Sequence, residues 1–251
     1  MPARNKTTSG CEAQSPSSSL RLCASASSAI AGVIFDMGDI FFDATPWRRW
    51  LTARLNAGGV DVTYEQLVQK WEALLVDVYR GLASYWPRLG ELLGSLGLEG
   101  QARDELIEAA REQGRRLRAQ RRLFDGVEAT LGRLRQAGLK LAVLSDTESS
   151  EPKVRAMLAE LGIEGFFDAV ITSLDIGAAK PEPASYQAAA DALGLDLPRC
   201  AFVGHDVDEL EGAQAAGLLT VAFNYAPGAP ADRYVERFEQ LLEAVAGGSS
   251  L

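Results

Sequence analysis

Val33-Ile34-Phe35-Asp36-Met37-Gly38-Asp39 is an apolar run that stops at a carboxylate. Consecutive large apolar residues with no polar alternation suit a strand buried on both faces, as in a parallel sheet covered by helices. Similar runs recur, and together with the first they place strands at 32–35, 139–144, 169–172, 201–203 and 219–223. After the second strand's approach the chain alternates, with helix-period segments at 127–136, 152–161, 183–193, 209–216 and a last one near 231–245. Gly138, Gly162, Gly194 and Gly217 stand where these helices should end, at the left-handed position that a residue without Cβ adopts most easily. Strand and helix in alternation predict an α/β fold.

Between the first and second strands the rhythm breaks. From about residue 46 to 122 the sequence reads as helices only, at 47–56, 64–79, 86–96 and 102–121, with Leu67, Trp71, Leu74, Leu75 and Val78 at helical spacing. The expected architecture is a Rossmann-like parallel sheet core, 30–45 and 123–251, with an inserted all-helical cap, 46–122. Residues 1–29 are rich in Ser, Thr and Ala and poor in acids, which reads as a disordered polar tail, a composition a transit peptide also has.

Composition narrows the partners. A chain of 251 residues with 47% hydrophobic content can bury a full core. Its formal charge of -9 argues against nucleic acid, whose non-specific binding depends on basic surface releasing counterions. No apolar run reaches the roughly 18–20 residues of a membrane span. Cys11, Cys23 and Cys200 form no disulfide framework, so the expectation is a reducing, cytoplasmic setting, no membrane partner, a small-molecule ligand, and a monomer or homodimer.

Open parallel sheets gather functional residues beyond the carboxyl ends of their strands, near the point where strand order reverses. Asp36 stands past the first strand, and Ser145 and Asp146 past the second. Lys180 follows the third, in Ala179-Lys180-Pro181-Glu182-Pro183, and Gly204-His205-Asp206-Val207-Asp208-Glu209 follows the fourth. Singly, each has an ordinary explanation as a helix cap, a turn or a solvated loop. Their order at four strand ends sets them apart.

This order resembles the haloacid dehalogenase-like superfamily, whose motifs are a strand-end Asp nucleophile, a Ser or Thr, a Lys, and an acidic cluster. The resemblance runs from about Ala31 to Phe223 and includes Leu123-Phe124-Asp125-Gly126-Val127 and Glu211-Gly212-Ala213-Gln214-Ala215-Ala216-Gly217. A cap between the first and second motifs is similar to the subfamily of phosphoglycolate-phosphatase-like and 2-haloacid-dehalogenase-like enzymes. The resemblance implies a hydrolase in which Asp36 attacks, Ser145 donates a hydrogen bond to the transferring group and Lys180 offsets negative charge. For a phosphatase on a small phosphorylated or otherwise anionic metabolite, it also implies Mg²⁺ on Asp36, the Gly38 carbonyl and an acid from the fourth cluster, Asp206 or Glu209.

Two positions depart from that pattern. The family's phosphatases carry a second Asp two residues after the nucleophile, as a general acid and base; here Gly38 stands there, and Asp39 is the nearest substitute. His205, the chain's one histidine, replaces the acid expected directly after Gly204, and imidazole is a poorer partner for Mg²⁺ than oxygen. Its alternatives are a structural residue and an acid/base. Trp47, Arg48, Arg49 and Trp50, and the run Arg115, Arg116, Arg118, Arg121 and Arg122, offer the cap either anion contacts or a core and a solvated face. Three readings therefore stand: a metal-dependent phosphatase, a metal-independent dehalogenase-like hydrolase that needs no second Asp, and a catalytically silent fold used for binding or regulation.

Overall fold

The computed structural model describes residues 29–247. Cys11, Cys23 and nearly all of the polar segment 1–29 lie outside the described residues. Among the described residues six strands, β1 (Gly32–Phe35), β2 (Lys140–Ser145), β3 (Ala169–Thr172), β4 (Cys200–Gly204), β5 (Leu219–Phe223) and β6 (Arg233–Val235), form one sheet in the order β3-β2-β1-β4-β5-β6. Every pairing is parallel. The protein has the α/β Rossmann-like fold.

The strands' period-two geometry divides the core between two faces. Val33 and Phe35 of β1 join Leu141, Val143, Ala201 and Val203 in one apolar cluster, while Ile34 joins Ala142, Leu144, Cys200 and Phe202 in the other. The first face is covered by α5 (Val127–Gln136), α6 (Glu151–Glu160) and α10 (Leu241–Ala246), and the second by α8 (Pro183–Leu193) and α9 (Val207–Ala216). Gly138, Gly162, Gly194 and Gly217 all have the positive φ expected of helix ends. A further short helix, α7 (Ser173–Ile176), begins on the Thr172 side chain, which accepts from the Asp175 amide at 3.3 Å.

The stretch near 231–245, expected as one helix, is instead β6, a single 3-10 turn at Phe238–Gln240, and α10. Its apolar residues Val235, Phe238, Leu241 and Val245 mimic a helical stripe, and all four are buried. The edge of the sheet overrides that pattern. Val221, Ala222 and Phe223 of β5 offer backbone partners to Arg233, Tyr234 and Val235, and Tyr234 packs on Tyr225 at 5.1 Å between ring centroids.

Between β1 and α5 lie α1 (Pro46–Ala57), α2 (Tyr64–Tyr79), α3 (Tyr85–Ser95) and α4 (Gly100–Gln120). They pack around a cluster of their own that includes Leu51, Leu67, Trp71, Leu75, Leu89 and Leu93. Each fully buried Leu contributes roughly 1.5–3 kcal/mol relative to exposure. A capping box starts α2, where Thr63 accepts from the Gln66 amide and the Gln66 side chain accepts from that of Thr63. Arg80, just past α2, grips Glu182 beside the sheet through Nε at 3.0 Å and a second nitrogen at 2.7 Å. Among the described residues no helix is long and apolar enough to cross a membrane.

Candidate active site

The chain builds β1, β2 and β3 outward on one side and then crosses to build β4, β5 and β6 on the other. Strand order therefore reverses between β1 and β4, which opens a crevice at their carboxyl ends. Asp36 stands at that point, its amide donating to the Val203 carbonyl of β4 at 3.0 Å. Its side chain is buried and forms a short ion pair through Oδ1 with Lys180 Nζ. The same ammonium meets Glu209 Oε1 at 3.0 Å and donates to the Leu144 carbonyl at 3.2 Å.

Lys180 reaches this position because its backbone is pinned. Both carboxylate oxygens of Asp146 accept from the Lys180 amide, at 3.1 and 3.2 Å. On the other side the loop presses on α9, where a Cβ at Gly212 would lie 2.6 Å from Pro181 Cβ and 2.8 Å from its carbonyl oxygen. A glycine is required for that approach. Glu209, in the first turn of α9, is thereby held next to the ammonium, and Tyr186 fixes its backbone by donating to the Glu209 carbonyl at 2.7 Å.

Ser145, buried at the tip of β2, lines the same cavity of about 730 Å³ as Asp36, Lys180, Glu209, Gly38 and Asp39. Asp39 has a left-handed backbone, φ 55°, and its Oδ1 accepts from the Ala44 amide at 2.8 Å. Asp206 is turned differently. Its Oδ1 lies 3.3 Å from His205 Nδ1, so it buttresses the imidazole rather than joining Asp36. His205 in turn presents Nε2 at 3.8 Å from Asp36 Oδ2. Asp36, His205 and Glu209 offer ligand atoms that all lie within 4.8 Å of one another.

Burial and charge oppose one another here. Burial alone would pull the Lys180 ammonium down, but Asp36, Glu209 and Asp146 overrule it and hold it well above its ordinary value. Glu209 is pushed up to about 8 by burial, with Lys180 acting against the rise. Burial would also lower His205, yet the hydrogen bond to Asp206 and the charge of Asp36 carry it to about 9. Burial raises Asp39 and Asp146 above their ordinary value.

These shifts predict how stability follows pH in protein stripped of metal. A folded value above the ordinary 6.5 means that the His205 contribution is fully present below about pH 6.5 and disappears as pH rises through about 9. Glu209, raised from 4.5 to about 8, acts in the same direction. The melting temperature should fall between pH 6.5 and 9.5, and less steeply in His205→Asn. Calorimetry across that window checks it; a melting temperature that rises with pH would contradict the assignment.

Sequence reasoning singled out Asp36, Ser145, Lys180 and Glu209, and these share one cavity. It left three features unassigned: Asp146 as the anchor of Lys180, Asp206 as the buttress of His205, and the Arg80 clasp on Glu182. For Asp146 the available signal was its place at a strand end. The helical segment's contribution to the cavity, with Arg48, Glu72 and Tyr79 among its lining residues, was legible only as a general preference of arginine for anions.

Residues 27–217 match the family described as haloacid dehalogenase-like hydrolase. The chain belongs to this family. It is 29% identical over 225 residues to the phosphoglycolate phosphatase of Yersinia pestis, covering 86% of this chain and 94% of that protein. To the glyceraldehyde 3-phosphate phosphatase of Methanopyrus kandleri it is 30% identical over 201 residues, covering 76% and 83% respectively. Its fold resembles that of L-2-haloacid dehalogenase from Xanthobacter autotrophicus with chloropropionic acid covalently bound, with a TM-score of 0.61, 22% identity, and coverage of 87% of this chain and 99% of that one. This member of the haloacid dehalogenase-like family is a hydrolase.

Proposed function

We propose that this hydrolase is a phosphatase acting on a small phosphorylated metabolite through an aspartyl-phosphate on Asp36. The observation that carries the reading is a buried carboxylate gripped by Lys180 at the tip of the central strand, in one cavity with Ser145. Two relatives named as phosphatases of small phosphate esters support it.

An Asp36 oxygen forms a bond to phosphorus while the ester P–O bond breaks, and the leaving oxygen takes a proton. Asp39 supplies that proton, since burial already raises its carboxyl and Oδ2 is left when Oδ1 holds the Ala44 amide. Water then attacks phosphorus, Asp39 takes up its proton, and phosphate departs as Asp36 is regenerated. The Lys180 ammonium offsets the charge that nucleophile and phosphoryl oxygens bring together, and the Ser145 hydroxyl donates to one of those oxygens. Helices α1 to α4 act as the cap over 46–122, excluding water, with Arg48 facing the distal anion of the substrate.

A divalent cation of the Mg²⁺ kind fits this donor set on one observation: Glu209 Oε2 is buried with no hydrogen-bond partner among the described residues. Asp36, Glu209 and the Gly38 carbonyl would hold it, and it would supply further neutralisation of the phosphoryl group. Asp206, set against His205, would not be among its ligands.

Gly38 favours a second reading, a dehalogenase-like displacement at carbon, because a departing halide needs no proton. Phosphoglycolate, glyceraldehyde 3-phosphate and 2-chloropropionate, each with a divalent cation or a chelator, separate the two. Cation-dependent phosphate release is expected; chelator-insensitive halide release would replace this reading with the second, and silence towards all three would leave a binding role. Gly38→Asp sharpens the test. Gly38 lacks a positive φ, and a Cβ there would meet Ala44 Cβ at 3.3 Å, so an Asp fits after a shift of a few tenths of an ångström. The variant should raise kcat for phosphate esters ~10-fold or more, a fraction of the ~10²–10⁴ that a positioned general acid/base contributes. An unchanged kcat would mean that proton transfer does not limit the wild type.

A further inference from the structure

The geometry points to a centre that binds its cation through the His205 imidazole, and that therefore prefers an ion of the Zn²⁺, Co²⁺ or Mn²⁺ class to Mg²⁺. The inference rests on the hydrolase reading above for its use in turnover, but not for the binding itself.

Lys180 decides which atoms are left for an ion. Its ammonium occupies Asp36 Oδ1 and Glu209 Oε1, one oxygen of each carboxylate. That leaves the second oxygen of each for an ion. Asp36 Oδ2 lies 3.8 Å from His205 Nε2, and Glu209 Oε2 is buried without a hydrogen-bond partner among the described residues. Ligand atoms of Asp36, His205 and Glu209 lie within 4.8 Å of one another, close enough to converge on an ion with bonds of roughly 2.0–2.2 Å after small side-chain rotations.

The imidazole is held as a ligand should be. Asp206 Oδ1 lies 3.3 Å from Nδ1 and Asp36 Oδ2 lies 3.8 Å from Nε2, so Nε2 is the nitrogen on the carboxylate side, where an ion would take the place of its proton. A carboxylate behind a histidine fixes its tautomer and raises its basicity toward a metal. Asp206, a candidate ligand from sequence, is on this account a positioning residue. Two carboxylate oxygens and one nitrogen suit first-row ions that accept imidazole. Mg²⁺ demands near-octahedral oxygen coordination and gives up its waters reluctantly, so it gains little from the nitrogen.

Because the chain has a single histidine, one imidazole reports the outcome. Tag-free, full-length protein labelled with ¹⁵N-histidine is stripped with a chelator and titrated with Zn²⁺ or with Mg²⁺, while calorimetry measures both affinities. Zn²⁺ should move the Nε2 resonance as a directly bonded nitrogen, and Mg²⁺ should leave it in place. In His205→Asp the ratio of Zn²⁺ to Mg²⁺ affinity should fall at least 10-fold. Zn²⁺ binding that leaves the Nε2 resonance unmoved, or an affinity ratio unchanged in His205→Asp, overturns the inference. Neither readout needs turnover, so the two claims fail separately. Phosphate release by a protein whose Nε2 resonance Zn²⁺ leaves unmoved would sink this one alone, whereas Zn²⁺ on Nε2 without any phosphate release would sink the phosphatase.

Discussion

Lys180→Met should abolish turnover and remove about 3–5 kcal/mol of stability, the usual consequence of taking one partner from a buried ion pair. Methionine can fill most of the space of the lysine stem, so the loss comes from charge rather than from a cavity. Without the ammonium, Asp36 and Glu209 face each other in a buried crevice, and Asp146 is beside them. The protein can relieve this only by protonating a carboxylate. Glu209, which burial already pushes up to about 8, is the group that would take the proton, and doing so becomes harder as pH rises. The stability deficit in urea unfolding should therefore be larger at pH 8 than at pH 5.5. A deficit that is small and independent of pH would mean that Lys180 is not the counter-charge of this site. Lys180→Arg should not restore activity, since a planar guanidinium cannot place one nitrogen between Asp36, Glu209 and the Leu144 carbonyl as the compact ammonium does.

The central strands were legible because parallel strands buried on both faces read as unbroken apolar runs. β1, β3 and β5 fall at the expected bounds, and β2 and β4 differ from them by one residue at each end. The same logic explains the strand that was missed. β6 is three residues long, lies at the sheet's edge and exposes Arg233 and Tyr234, so no run marks it, and buried apolar residues on either side of a turn imitate a helix. The strand-end rule likewise locates Asp36, Lys180 and Glu209 from sequence alone, since chain order and sheet topology bring those positions to one edge. It does not say which way a side chain turns once there. The Asp146 carboxylate meets an amide 34 residues away, and His205 directs one nitrogen to Asp206 and the other to Asp36. Both facts depend on backbone register across the sheet and on rotamers, which local spacing does not encode.

Asp36→Asn should lower kcat by ~10⁴ or more while shifting the melting temperature by only a few degrees, because an amide retains the shape and the carbonyl acceptor but not the nucleophile. Lys180 can still donate to the remaining oxygen, and removing one negative charge from a crevice that also holds Glu209 and Asp146 offsets the weaker ion pair. Activity that survives in the variant would detach the chemistry from this residue altogether. The fate of oxygen in the wild type then distinguishes the two covalent routes. An aspartyl-phosphate is opened by water at phosphorus, so a single turnover in ¹⁸O-water puts the label into phosphate and leaves the Asp36 carboxylate unlabelled. An ester between Asp36 and a carbon centre is opened at the carboxyl carbon, so the label enters Asp36 itself. Mass spectrometry of the peptide around Asp36 after one turnover reads the difference directly, and an unlabelled Asp36 beside labelled phosphate is the result expected of this hydrolase.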